Sequence, residues 1–237
     1  MNLMEKERIG IIGAMDAEVD LIKRDCVIEN TSKVAAMEFV EGSLNGKEVV
    51  IVKCGMGKVN AGICASTLIR DFNCTKIINT GVAGSLDGRM EIGDIVISKD
   101  AVQHDFDVEV IGFKKGEIPY TGLFAFKADP LLIQKAKEAT KEVAPNINIF
   151  EGRVCSGDQF IFNKAQKDLI VANFNGLCCE MEGAAIAHTC YLFGVPFVIL
   201  RAISDKPDGE GAEDFNLFAS KMAVVSENIV KSMLKRI

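Results

Sequence analysis

Two histidines, His104 and His188, are all that the 237 residues contain. That leaves little material for a zinc site. The eight cysteines include no Cys-x-x-Cys pair, and Cys178 and Cys179 are adjacent, a poor geometry for a disulfide. Cys54, Cys64, Cys74, Cys155 and Cys190 sit among apolar neighbours, where a thiol behaves as a small hydrophobe. Buried, reduced thiols are therefore expected. A long basic run is missing and the net charge is -6, so nothing electrostatic favours nucleic acid. No stretch is long and apolar enough to cross a bilayer, and no apolar signal core follows the polar residues 1–8. The expectation is a cytoplasmic protein without a membrane partner. No repeat, low-complexity tract or linker divides the chain.

What is present is a full core. Hydrophobic residues make up 49% and charged residues 25% of the chain, enough for one large soluble domain. A single domain over 1–237 is expected, with 1–7 a flexible N-terminus. Val- and Ile-rich runs predict strands at 8–15, 48–55, 76–81, 94–98, 149–156 and 196–203. Helical periodicity covers 17–24, 59–71, 130–143, 164–173, 182–192 and 213–234. Strand followed by helix, repeated, predicts an α/β sheet with helices on both faces. The segment 112–122 reads as a surface loop.

Most of these strands end in small or functional residues. Gly13-Ala14-Met15 is followed by Glu18; Gly55-Met56-Gly57-Lys58, Gly81-Val82-Ala83-Gly84, Ser156-Gly157-Asp158 and Arg201-Ala202-Ile203-Ser204-Asp205 close the others. Ligands of open α/β sheets bind outside the carboxyl ends of strands, and glycines there let backbone approach a ligand closely. Gly55-Met56-Gly57 lacks the third glycine of a dinucleotide fingerprint, because Asn60 stands there, and Gly57-Lys58-Val59 lacks the Ser or Thr of a P-loop. Both read as tight turns into a helix. His104-Asp105-Phe106-Asp107 is too compact to fill a coordination sphere alone and reads as a polar loop at a strand end. His188 reads as a hydrogen-bonded helix histidine.

The acids carry more information. Glu18 and Glu182 each open a helix, where a carboxylate ordinarily just complements the dipole. Asp205 follows an apolar strand and could serve as an N-cap. Three acids at one sheet edge, beside glycine-rich loops, point to acid/base chemistry of a hydrolase or a transferase.

Taken in order, Ile11-Ile12-Gly13-Ala14-Met15 with Glu18, Asn79-Thr80-Gly81 with Ala83-Gly84, Ser156-Gly157-Asp158 with Phe160-Ile161, Glu180-Met181-Glu182, and Arg201-Ala202-Ile203-Ser204-Asp205 resemble the 5′-methylthioadenosine/S-adenosylhomocysteine nucleosidases of the purine nucleoside phosphorylase superfamily. No single motif decides this; five in collinear order are specific. The resemblance implies one α/β domain with a central mixed sheet, a homodimer, and a role in methionine salvage. The reaction implied is hydrolysis of the N-glycosidic bond of methylthioadenosine, adenosylhomocysteine and 5′-deoxyadenosine, releasing adenine. Glu18 would be the general base that activates water and Asp205 the general acid toward purine N7, with Ser204 holding it. Glu182 would grip the ribose hydroxyls and Met181 pack on the sugar. Phe160 would stack on adenine and the Ile161 backbone read its edge. Arg201 would sit near the water. Met15, Ala83 and Gly84 would line the substrate site, and Met56 and Phe215 its 5′ end. Val108, Ile111 and Pro119 would come from the partner subunit. No metal or organic cofactor is required.

The chemistry agrees with such roles. Cleavage leaves a ribosyl cation-like centre and a poor leaving anion, so one carboxyl must give a proton and another must stay ionised. The sequence predicts desolvation at Asp205 and ionised carboxylates at Glu18 and Glu182, held so by helix N-termini. Val82 stands where much of the family has a small hydroxyl residue, and Ile111 where an aromatic is common. A phosphorylase is the chief rival; its cationic phosphate ligands would include an Arg and a Ser where Asn79 and Val82 stand. A non-catalytic nucleoside-binding module is the second rival, and it would not need both Glu18 and Asp205.

Overall fold

The computed structural model describes residues 7–207 and 215–237, the side chains of 215–220 excepted. Among the described residues, ten strands and six α-helices build one mixed sheet with helices packed on it. β1 (Arg8–Gly13), β4 (Lys47–Lys53) and β5 (Lys76–Ser85) run parallel, with Ile11 beside both Ile51 and Ile78. β10 (Phe197–Asp205) continues the parallel set on the other side of β5. It then meets β6 (Ile95–Gln103) antiparallel. β8 (Ile149–Ser156) lies parallel to β6, and β9 (Cys178–Glu180) parallel to β8. β9 returns to β5 antiparallel, so β5, β10, β6, β8 and β9 close a ring. Every residue of β10 is buried, as a strand covered on both faces must be.

The ring leaves a split. On one edge β5 pairs with β1 only as far as Asn79 and with β9 only from Gly84. Residues 80–83 therefore face a gap between β1 and β9, at the carboxyl ends of both β1 and β5. The turns leaving β1, β4 and β8 and the last residues of β10 converge beside that gap.

Helices α1 (Asp16–Asp25) and α3 (Pro130–Val143) pack on α6 (Phe215–Leu234), and α2 (Lys58–Arg70) packs on α5 (Gly183–Phe193). Their ends obey local rules. Asp129 caps α3 by accepting from Leu132 N–H at 2.9 Å, with Pro130 at the first position, where its missing N–H costs nothing. Asn163 caps α4 (Lys164–Phe174), accepting from Ala165 N–H at 2.8 Å. Gly194 ends α5 at φ 68°, the left-handed position that glycine fills without strain.

The predicted strands and helices are all present, residues 213 and 214 of the last helix lying outside the described residues, but the segment 27–44 is not a plain connection. It forms β2 (Val27–Val34) and β3 (Met37–Leu44), an antiparallel extension beyond β4. β2 is an edge strand with mostly exposed polar residues, which is why no apolar run marked it. Short β7 (Phe126–Lys127) against β6 is also additional. Residues 1–6 of the predicted N-terminal tail lie outside the described residues. Glu7 is described, and its carboxylate pairs with Lys47 and Lys76. The segment 112–122 is irregular, with one bridge between Ile118 and Leu123.

Candidate active site

The split in the sheet opens into a cavity of about 650 Å³ including its mouth, a size suited to a small molecule. Ala14, Met15, Glu18, Met56, Val82, Ala83, Gly84, Gln159, Phe160, Ile161, Cys179, Glu180, Met181, Glu182, Ser204 and Asp205 line it. Among the described residues, all four charged groups in that lining are acidic. Cys54, which lies beside the wall rather than in it, shows the same bias: burial, and then the charge of Glu182, push its thiol up to about 12.

Glu18 sits in the first turn of α1 and folds back on its own N-terminus. Its Oε2 accepts from the N–H groups of Ala14 (2.6 Å) and Met15 (3.0 Å), and its Oε1 from Val82 N–H (3.1 Å). The last contact uses a donor on the β5 segment that neither β1 nor β9 covers. Three backbone donors fix the carboxyl, and among the described residues it has no ion-pair partner in contact. Burial pushes Glu18 up from the usual carboxylate range, against the nearby Arg201 charge and these hydrogen bonds, which pull it down.

Glu182 caps α5 and accepts from Gly57 N–H at 2.9 Å, tying the turn after β4 to the cavity wall. Gly57 takes φ 96° there, a conformation that a side chain would strain. Burial, and next the neighbouring Glu180, push Glu182 up to about 7. The prediction that helix N-termini hold both carboxylates ionised meets an opposing influence: burial raises Glu18 and Glu182 alike.

Asp205 ends β10. Ser204 Oγ lies 2.9 Å from Asp205 Oδ1 and 3.2 Å from the Ala83 carbonyl. Asp205 Oδ2 accepts from Lys167 Nζ at 2.5 Å. Gly84 is the space in which this carboxyl sits, since a β-carbon there would lie 3.0 Å from Oδ2.

Arg201 is not among the residues that line the cavity, although its Nη1 lies 3.3 Å from the point where a β-carbon on Gly81 would stand, the same point that Glu18 Oε1 approaches to 2.6 Å. It is buried behind the wall, paired with Glu180 through Nη2 and donating to Asn79 Oδ1 at 2.6 Å. Glu180 also accepts from Ser156 Oγ and from the N–H groups of Glu182 (3.2 Å) and Gly183 (2.8 Å). Its charge is thereby answered from four sides, as a buried carboxylate requires.

Phe160 stands 58% exposed at the mouth and Ile161 is buried beneath it. Val108, Ile111 and Pro119 do not line the cavity of their own chain; Ile111 is exposed on the 3₁₀ turn Glu109–Ile111. Phe215 opens α6, and its side chain lies outside the described residues. His104 is buried against Gly157 without a hydrogen-bond partner on Nε2 among the described residues. His188 Nδ1 meets Gln103 Nε2 at 3.3 Å and its ring stacks on Phe126. Among the described residues no three His, Cys, Asp or Glu side chains gather as metal ligands, and no helix is long and apolar enough to cross a membrane. All eight cysteines are buried and unpaired.

Sequence reasoning missed Gln159 and Cys179 in the wall, gave Glu180 no part of its own, and overlooked Lys167. The lysine left a trace: Lys167, Ile170 and Phe174, spaced i, i+3, i+7, form the buried face of α4, and a lysine on such a stripe needs a partner.

Comparison with known proteins agrees over nearly the whole chain. Residues 8–235 match the Phosphorylase superfamily. The chain is 42% identical over 228 residues to the 5′-methylthioadenosine/S-adenosylhomocysteine nucleosidase of Staphylococcus haemolyticus, covering 96% of this chain and 99% of the relative. It is 41% identical to the nucleosidase of Halalkalibacterium halodurans, over 97% and 99% of the two chains. The nucleosidase of Neisseria meningitidis, solved in complex with methylthio-immucillin-A, superposes with a TM-score of 0.93 at 33% identity, over 98% of this chain and 100% of that one. Futalosine hydrolase of Helicobacter pylori superposes with 0.91 at 33% identity, over 98% and 99%. The chain belongs to the phosphorylase superfamily and, within it, to the 5′-methylthioadenosine/S-adenosylhomocysteine nucleosidases, a family of glycosyl hydrolases.

Proposed function

We propose that this chain hydrolyses the N-glycosidic bond of methylthioadenosine and adenosylhomocysteine, and of 5′-deoxyadenosine, releasing adenine and the 5′-substituted ribose. The observation that carries the reading is the sign of the cavity. Glu18, Glu180, Glu182 and Asp205 line it, and no Lys or Arg does among the described residues. A phosphate dianion would find repulsion there rather than the cations it needs, whereas water needs only a base.

The roles follow from how each acid is held. Glu18, fixed by three N–H donors, takes a proton from water as the water oxygen bonds to the anomeric carbon. The C1′–N9 electron pair moves into the purine while Asp205 gives its proton to N7. The proton gained by Glu18 passes to solvent, and solvent returns one to Asp205, so the cycle consumes one water. Ser204 orients Asp205. Glu182 accepts from the ribose hydroxyls with the oxygen that Gly57 leaves free, and Met181 packs on the sugar. Phe160 and Ile161 hold adenine, beside Met15, Ala83 and Gly84. Arg201 acts from behind the wall, through Glu180 and its charge on Glu18. No metal or organic cofactor enters the scheme.

Met56 and Phe215, with Val108, Ile111 and Pro119 of a partner copy, form the 5′ end in a homodimer. Their apolar character suits a thioether. Buried reduced cysteines suit a cytoplasmic enzyme, and the reaction places it in methionine salvage.

The test is adenine release from methylthioadenosine, adenosylhomocysteine, 5′-deoxyadenosine and futalosine, with and without phosphate. Hydrolysis of the thio-nucleosides in phosphate-free buffer is expected. Strict phosphate dependence with a ribose 1-phosphate product overturns hydrolysis, and preference for futalosine overturns the substrate assignment.

A further inference from the structure

Lys167 is 1% exposed, yet it lies on α4, a helix with no other part in the site. Its Nζ donates to Asp205 Oδ2 at 2.5 Å and to the Lys206 carbonyl at 2.7 Å. Ser204 takes the other oxygen, Oδ1, at 2.9 Å. The carboxyl is thus gripped on both oxygens, one of them by a full positive charge. Burying a lysine costs several kcal/mol unless its charge is answered, and the answering group here is the cavity's proton donor. An apolar residue would have completed the Ile170–Phe174 stripe at no such cost.

We infer that Lys167 is a positioning residue for proton transfer from Asp205: it fixes the Oδ2 side of the carboxyl and stabilises the carboxylate that remains once the proton has gone to the purine. The inference rests on the proposed role of Asp205 as general acid. In the step, the Asp205 O–H bond breaks and the N7–H bond forms. The C1′–N9 pair leaves with adenine, and the new negative charge on Asp205 appears beside the Lys167 ammonium. Lys167 keeps its own three protons throughout. A charge that develops beside a fixed, desolvated cation is stabilised far more than one in water.

The other groups facing Asp205 cannot supply this charge. From β9, Cys179 presents a thiol that burial pushes up to about 12, so it stays neutral. From β5, Gly84 offers no side chain, and Ala83 offers a carbonyl. The adjacent Lys206 directs its ammonium to Glu91 at 2.7 Å. Glu180, also on β9, is held by Arg201.

The test compares the full-length enzyme with K167M, K167R and D205N by pH profiles of kcat and kcat/KM for methylthioadenosine. A general acid works only while protonated, so activity falls on the alkaline side as it ionises. Removing the cation makes ionisation harder. K167M should therefore lower kcat at least 10-fold with KM within about threefold, and move the alkaline limb up by about one pH unit or more. K167R, which keeps the charge, should keep the native limb. Glu182 titrates in native enzyme and variant alike, so it does not move the difference. If K167M is too unstable to purify, K167Q carries the same comparison. An unmoved alkaline limb in the neutral variant, with loss confined to thermal stability, overturns the inference. D205N separates the two readings: if it remains active, Asp205 is not the acid; if it is inactive while K167M keeps the native profile, only the part of Lys167 fails.

Discussion

A β-carbon on Gly81 would lie 2.6 Å from Glu18 Oε1. That is closer than two such atoms approach, so Gly81 is the space in which the carboxyl stands. Gly81→Ala therefore forces Glu18 off its three N–H donors, while the rest of β5 keeps its pairing. The expected result is a folded protein whose kcat/KM for methylthioadenosine falls about 100-fold, the usual effect of displacing a reacting group by about 1 Å. Circular dichroism and thermal unfolding check the fold. Native kinetics would show that the position of Glu18 does not matter.

Glu182 makes a prediction about stability instead. Its folded-state value of about 7 lies above the 4.5 of an ordinary glutamate. Folding then favours the protonated form: the contribution is fully present below about pH 4.5 and is lost as pH rises through 7. Above that, a buried charge opposes folding, by desolvation first and by Glu180 second. Glu182→Gln keeps the acceptor for Gly57 N–H and removes the charge. It should raise the melting temperature by several degrees at pH 8, from about 2–3 kcal/mol, with no gain at pH 4.5, while turnover drops. An equal change at both pH values contradicts this charge assignment.

The strands that carry the site were legible because they are buried on both faces, and such strands read as unbroken Val/Ile runs. Val49 to Val52 is such a run, and Phe197 to Leu200 is one with Val198 and Ile199 between a phenylalanine and a leucine. The hairpin β2–β3 escaped because its edge strand runs through exposed Glu29, Asn30 and Thr31 and half-buried Ser32, with no apolar face. A local signal existed at the next turn: Asn45 and Gly46, with φ 52° and 79°, are the pair that a two-residue hairpin favours. The closure of β9 onto β5, which opens the cavity, depends on pairing across some ninety residues and leaves no local mark. Among site residues, the acids at strand and helix ends were legible. That Arg201 pairs with Glu180 and Asn79 was not legible, because nothing along the chain brings those three together. The upward push on Glu18 and Glu182 was not legible because depth of burial is a property of the fold, whereas a helix N-terminus can be read from position alone.

Val82 replaces a small hydroxyl residue common in the family, beside the general base. Its contact with Glu18 is through backbone N–H, at 3.1 Å, and does not depend on the side chain. Val82→Ser should therefore change kcat/KM by less than about threefold, since three backbone donors already define the carboxyl. A gain of 10-fold or more would mean that the missing hydroxyl is a functional defect, and that backbone donors alone do not set Glu18.

The last prediction concerns the acid side of the pH profile. Glu18 acts as a base and must be ionised. Burial raises it above the ordinary glutamate value of 4.5, and the Arg201 charge only partly opposes that. As pH falls, the base is protonated early, so kcat/KM should drop along a limb that lies above pH 4.5. Glu182 shares this side of the profile, because its ribose contacts need an acceptor. The two acids separate by variant. Glu182→Gln, which still accepts through its amide oxygen, should leave a weaker enzyme with one acid limb, that of Glu18. Glu18→Gln should remove turnover at every pH while adenine still binds. If the limb of native enzyme falls at or below 4.5, or if Glu18→Gln retains turnover, desolvation has not set the base, and the water must be activated elsewhere in the cavity.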